Sequence, residues 1–116
     1  MFKLTQLFDN GTESYFTESE IEFSASQYFA NLAVGKIGQA TALEMWDVSQ
    51  PCVFEWVNAP RKQYFVYLFG LLEIEVGSGE KRLFKTGDIL FVSDTKGRGH
   101  TTRILEPMTA LVITSP

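Results

Sequence analysis

The chain has very few of the residues that commonly carry redox or metal chemistry. It contains one cysteine, Cys52, and one histidine, His100, among 116 residues. A single cysteine excludes an intrachain disulfide, and we interpret Cys52 as a small buried apolar residue. A single histidine also excludes a conventional cluster of soft metal ligands, because zinc and non-haem iron sites use three or four such groups. We therefore expect no bound metal and no other cofactor.

Long apolar runs and basic clusters are absent as well. No stretch approaches the roughly 18 uncharged apolar residues of a membrane span, and residues 1–6 lack the features of a secretory signal. Fourteen Asp and Glu outnumber ten Lys and Arg, giving a net charge of −4. Phosphate recognition needs a basic face. We expect a single cytoplasmic domain over residues 1–116, with neither nucleic acid nor membrane as partner.

Strand signals dominate the sequence after about residue 40. Short alternations of apolar and polar residues are bounded by turn residues at intervals of roughly 8 to 12 positions, which indicates an all-β sandwich or barrel. The predicted strands are 41–48, 53–57, 63–69, 71–76, 81–85, 89–93, 101–104 and 109–114. Strand 63–69 is apolar on both faces, as expected of a central strand that is covered on two sides.

The N-terminal third is less regular. Residues 2–8 predict an edge strand, and Asp9-Asn10-Gly11 predicts a turn. Residues 24–32 combine Ala, Gln and aromatic side chains, so they are compatible with either a helical turn or a strand.

Three segments together resemble a known family. Residues 56–64, residues 70–80 and the loop from Gly87 to His100 are similar to the two motifs of a small single-domain cupin of the RmlC-like kind. The resemblance covers about residues 41–114. It implies a jelly-roll barrel, or double-stranded β-helix, whose interior holds a metal or a small organic ligand.

The chain departs from the family pattern at the metal ligands. Counting back from Gly70 puts Gln63 at the position of the family's glutamate, and Gly97 precedes His100 at the spacing of the second motif. The two histidine positions of the first motif fall on Val57 and Ala59, or on Trp56 and Asn58. One ligand of four remains. An amide and one imidazole compensate little of the charge of a divalent cation, so the metal site is expected to be degenerate.

The resemblance and the strand periodicity together give the candidate site residues. His100 is the candidate general base, and Tyr67 is the candidate proton donor. The candidate ligand-binding residues are Gln63, Trp56, Arg61, Phe65 and Arg98. Gln63, Phe65 and Tyr67 share one strand face because side chains alternate with period two. A guanidinium would suit a carboxylate or phosphate, although pairing with Asp88, Asp94 or Glu55 is the structural alternative.

Two further assignments concern residues near the site. Asp94 belongs to a turn and is expected to bond local backbone amides. Trp46 is expected to fill the core.

Three functions follow as expectations. The first is a small cupin that binds a small organic ligand and uses His100 in a metal-independent lyase, isomerase or epimerase step. The alternatives are a non-enzymatic ligand-binding or sensing module and a metal-dependent cupin oxygenase. Ten Phe and four Tyr exceed what one small core hides, so a homodimer is expected.

Overall fold

The protein consists of β-strands joined by turns and loops. The computed structural model describes residues 2–116, in which ten strands and no helix occur and 62% of the chain is in strands. The all-β class predicted from the sequence is confirmed. Within residues 2–116 there is accordingly no helix of the length and apolarity needed to cross a membrane.

The strands are numbered in chain order. Their bounds are β1 Phe2–Asp9, β2 Ser14–Ile21, β3 Ser24–Ala25, β4 Ala33–Val34, β5 Ala42–Val48, β6 Cys52–Val57, β7 Gln63–Val76, β8 Lys81–Lys85, β9 Ile89–Val92 and β10 His100–Thr114.

Eight of these strands form one mixed sheet. Six follow each other in the order β2-β1-β9-β7-β10-β5, while β6 pairs with β10 and β8 pairs with β7. The β1–β9 pair is parallel, and the other pairs are antiparallel. Strands β3 and β4 form a separate two-stranded ribbon. The hydrogen-bonded path has open ends at β2 and β5, so the pairing does not close into a barrel.

Two long strands fold the sheet into two layers. The first part of β7 pairs with β9 and with the end of β10, and its second part pairs with β8 and with the start of β10. The register between β7 and β10 shifts between Ile104 and Ala110, where both strands turn. Pro107 lies in this stretch, where it removes a ladder donor. Buried apolar side chains from both layers, among them Leu90, Val112, Leu72 and Ile104, form one core cluster.

Gly70 makes the turn of β7 possible. Its φ of 112° is a conformation that L residues rarely adopt. A Cβ at this position would stand 2.5 Å from the carbonyl oxygen of Pro107 and 2.7 Å from Cα of Met108. The two strands therefore approach each other at a point where only glycine fits.

Several boundaries differ from the sequence-based expectation. The residues predicted as two strands, 63–69 and 71–76, form one strand that continues through Gly70, and β10 likewise joins 101–104 to 109–114. Strand β1 is internal rather than an edge, because β2 pairs along its full length. Residues 24–32 contain the short strand β3 and a turn.

We expect Gly70→Ala to destabilise the protein by about 3 kcal/mol or more, because it combines backbone strain with a collision against backbone atoms. Gly79 provides a matched control. It also has positive φ, 92°, but no atom stands within 4 Å of an added Cβ. Gly79→Ala is expected to cost only the strain, about 1 kcal/mol. Urea denaturation measures both, and equal losses would contradict this account of the bend.

Candidate functional site: a buried histidine–aspartate pair beside an apolar cavity

A cavity of about 490 Å³ lies between the two layers. This volume falls within the range of small-molecule sites, about 300–1,000 Å³. Its lining residues come from both layers and from the turn between β6 and β7: Trp46, Val48, Phe54, Val57, Asn58, Ala59, Pro60, Gln63, Phe65, Tyr67, Leu72, Ile74, Val92, His100, Thr102, Ile104 and Met108.

His100 is the first residue of β10 and is held between two neighbouring strands. It pairs with Val57 of β6 and with Val76 of β7. The preceding residue, Gly99, has a φ of 76°, and a Cβ there would collide with the carbonyl of Val57. The glycine therefore lets the loop pass close to β6, which brings the imidazole to the cavity wall. The His100 residue is only 7% exposed.

Asp94 lies behind His100, away from the bulk solvent. Its carboxylate oxygen Oδ2 is 2.5 Å from Nδ1 of His100 and accepts a second hydrogen bond, of 2.7 Å, from the hydroxyl of Ser14. Asp94 is fully buried, and its Oδ1 has no partner among the described residues. Burying a carboxylate is costly unless it is paired. The contacts with His100 and Ser14 supply the pairing.

The loop that carries both residues is fixed by backbone contacts. The side-chain amide of Asn58 donates to the carbonyl oxygens of Asp94 and Gly97, at 3.3 and 3.0 Å. The backbone N–H of Ala59 donates to the same Asp94 carbonyl at 3.2 Å. The histidine and the aspartate therefore sit on a loop tied to the β6–β7 turn.

The contact with Asp94 determines which nitrogen of the His100 ring carries the proton. A carboxylate accepts hydrogen bonds, so Nδ1 carries the proton that points at Oδ2. In the neutral imidazole, Nε2 is then the nitrogen with the free lone pair. The arrangement orients one basic nitrogen and stabilises the positive ring that forms when this nitrogen takes up a proton.

Tyr67 is the second polar group expected in the chemistry, and it lines the same cavity. It is 2% exposed, and its ring stacks against Phe65 with a centroid distance of 6.1 Å. Burial, with a smaller effect of the Asp88 charge, raises the pKa of the Tyr67 phenol far above its usual value. The phenol is therefore protonated at neutral pH, and its O–H is able to donate a hydrogen bond.

Gln63 and Phe65 also belong to the cavity wall, as their strand face predicts. The Gln63 amide is 1% exposed; its Nε2 approaches Thr114 Oγ1 at 3.5 Å, and its Oε1 has no partner among residues 2–116. The amide is thus a buried polar group with unused hydrogen-bonding capacity.

The three remaining candidates lie outside the lining. Arg98 forms a 3.0 Å ion pair with Glu13 and stacks over the ring of Trp56 at 5.3 Å. Trp56 is 45% exposed, and Arg61 is exposed. The structure therefore brings four of the seven candidates together, namely His100, Tyr67, Gln63 and Phe65, and leaves Trp56, Arg61 and Arg98 at the surface.

The side chains that line the cavity do not fit the metal centre that the resemblance to cupins implies. Residues 2–116 contain no group of three or more His, Cys, Asp or Glu side chains placed to hold an ion. At the positions aligned with the first motif, Val57 and Ala59 line the cavity with alkyl groups. The one imidazole already uses Nδ1 on Asp94.

Sequence reasoning missed two partners of the site. Asp94 does not cap its own turn with its side chain as expected, but contacts His100 and Ser14. An aspartate six residues before a histidine across a glycine-rich loop is a signal that could have suggested this pair. Ser14 lies 80 residues from Asp94 in the chain, and no local pattern marks it.

Trp46 lines the cavity with its ring edge-on to Phe65.

Comparison with known proteins adds no assignment. No protein-family model matches the chain, and no curated protein matches it significantly.

Proposed function

We propose that the chain is a small jelly-roll cupin that binds a small organic molecule between its two layers and acts on it without a metal. In this proposal His100 is the general base and Tyr67 is the hydrogen-bond donor of an isomerase, epimerase or lyase step. The family resemblance of residues 41–114 and the two-layered all-β sheet with a cavity support the fold part of the proposal.

The contact between His100 Nδ1 and the buried Asp94 carboxylate carries the catalytic part. A buried carboxylate is costly to desolvate, yet one is placed directly against Nδ1 of His100. A histidine that must accept a proton gains orientation and charge stabilisation from the same group. Tyr67 would stabilise negative charge that develops on the substrate when the proton leaves.

The chemistry common to these reaction classes is removal of a proton from carbon. Nε2 takes the proton, and the electron pair of the C–H bond moves into the substrate, towards an electron-withdrawing group. In an isomerase or epimerase Nε2 returns the proton at another position or face, whereas in a lyase the leaving group departs with its bonding electrons and takes up the proton from Nε2. The proton balance closes within the site, with no external oxidant.

A binding or sensing module is the second candidate, favoured by the apolar character of the cavity. It requires the same cavity but no turnover. Conversion of a bound molecule therefore separates the two functions.

We expect the protein to open the ring of a nitrobenzisoxazole, a neutral planar probe of positioned bases. A base removes the ring C–H proton, the C–H electrons form the nitrile and the N–O bond breaks to give a coloured phenolate. His100→Gln should lower the rate at least about 100-fold, the usual contribution of a general base. Glutamine retains a hydrogen-bond donor for Asp94, whereas alanine would leave the buried Asp94 carboxylate without this donor.

Thr101→Ala is the control for this measurement, because Thr101 neighbours His100 but is not a lining residue. Its rate and melting temperature should match those of the parent protein. A His100→Gln protein that retains the full rate would refute the base assignment. Probe binding without any turnover in the parent protein would favour the binding module.

A further inference from the structure

The chemistry of the cavity wall defines the class of ligand. Twelve of the seventeen lining residues are apolar, and the polar ones are Asn58, Gln63, Tyr67, His100 and Thr102. No Lys, Arg, Asp or Glu occurs in the lining. A ligand that enters this space exchanges water for hydrocarbon over most of its surface.

An anionic group would find no compensating charge in this cavity. Arg61 and Arg98 lie outside the lining, and the Arg98 guanidinium is paired with Glu13. A positive charge on His100 would be offset by the Asp94 carboxylate at 2.5 Å. Removing a carboxylate or phosphate from water without a cationic partner is strongly unfavourable.

An uncharged ligand can still be oriented by the polar groups of the wall. The Gln63 Oε1 has no partner among the described residues, and the Tyr67 phenol remains protonated. A molecule with one hydroxyl and an aromatic or aliphatic body would match this combination of an acceptor, a donor and an apolar wall.

We propose that the cavity takes an uncharged, predominantly apolar molecule, and rejects molecules with a phosphate or carboxylate group. The inference deepens the proposed function and rests on it, since it concerns the same cavity. It is an alternative to the hypothesis that Arg61 or Arg98 holds a carboxylate or phosphate of the ligand.

Naphthol and naphthoate test this inference, because they share one ring system and differ at neutral pH in charge. Titration calorimetry should give naphthol at least tenfold tighter binding than naphthoate. Thr102→Phe, which narrows the cavity from β10, should weaken naphthol binding. Thr101→Phe, the same change on the neighbouring residue outside the lining, should leave it unchanged.

Equal or tighter binding of naphthoate would overturn the inference, and so would naphthol binding that Thr102→Phe leaves unchanged. These outcomes are separate from failure of the proposed function. Selective naphthol binding without His100-dependent ring opening would leave the ligand class standing and remove the base. Ring opening that depends on His100, together with a preference for naphthoate, would support the base and contradict the ligand class.

The outer face of the sheet lies opposite the cavity. Two rows of side chains cross four paired strands: Leu43, Ile113, Tyr64 and Phe91 form one row, and Met45, Leu111, Val66 and Ile89 form the other. Every member is apolar or aromatic. An antiparallel sheet that faces water normally presents polar residues on that side.

This outer face is only partly covered by the chain itself. Residues 37–40 lie over its middle, where the Tyr64 hydroxyl donates to the carbonyl of Ile37 at 3.2 Å. Towards the β5 edge, Leu43 and Met45 are 67% and 58% exposed. The preceding segment, residues 22–36, carries further exposed apolar side chains, of which Tyr28 and Phe29 are the most exposed.

The accessible surface area of the chain is larger than that expected of a folded monomer of its mass. A folded monomer of 13.1 kDa has an accessible surface of about 6,400 Å², but the chain exposes 7278 Å². Its radius of gyration is 15.0 Å, against about 13.4 Å for a compact domain of this length. The excess, about 900 Å², is close to the roughly 800 Å² that each partner buries in a standard interface.

From this area, we propose that a second copy of the chain covers the outer face and segment 22–36 of the first. The same chain carries both an uncovered apolar face and an uncovered apolar segment, so a two-fold arrangement covers both at once. The cavity is on the opposite side of the sheet and is not needed for this contact.

Sedimentation equilibrium should show a dimer for the parent chain and a monomer for the double variant Leu43→Glu and Met45→Glu. Leu83→Glu is the matched control, since Leu83 is 59% exposed but lies on β8, opposite Glu73; it should remain a dimer. Matching circular dichroism spectra of all three proteins verify folding. A monomeric parent chain, or a dimer equally weakened by Leu83→Glu, would overturn the proposal.

Discussion

The contact between His100 and the buried carboxylate of Asp94 is the interaction on which the site depends. It places a charge-bearing pair between two layers whose other residues are mainly apolar. Such a pair is retained only if each partner satisfies the other, because either one alone would be buried without compensation. The close approach of Gly99 to Val57 and the hydrogen bond from the Asn58 amide to the Gly97 carbonyl hold this pair at the cavity wall.

The bend of the two longest strands creates the space in front of the histidine. Strand β7 contributes lining residues on both sides of Gly70, and β10 contributes His100, Thr102, Ile104 and Met108. Gln63, Phe65 and Tyr67 come from the first part of β7, and Leu72 and Ile74 come from the second. Gly70 lies between these two parts of β7, where the chain approaches Pro107 and Met108 closely.

Local patterns were sufficient for the strands after residue 40 and for one wall of the cavity, but β2, Ser14–Ile21, was not among the predicted strands. Alternation along residues 63–69 identified Gln63, Phe65 and Tyr67 as neighbours on one face, and the glycine-rich loop identified His100. The continuation of β7 through Gly70 was not predictable in this way, since glycine usually interrupts a strand pattern. The partnership of Ser14 with Asp94 depends on tertiary packing across 80 residues, which periodicity does not encode.

The protonation of the single imidazole is the most direct measure of the central interaction. Nitrogen NMR of the labelled protein reads both ring nitrogens of His100 without overlap, because the chain has one histidine. At a pH where the ring is neutral, we expect the proton on Nδ1 and a free lone pair on Nε2. A ring protonated on Nε2, or one exchanging rapidly between both forms, would contradict the assignment of Nε2 as the base.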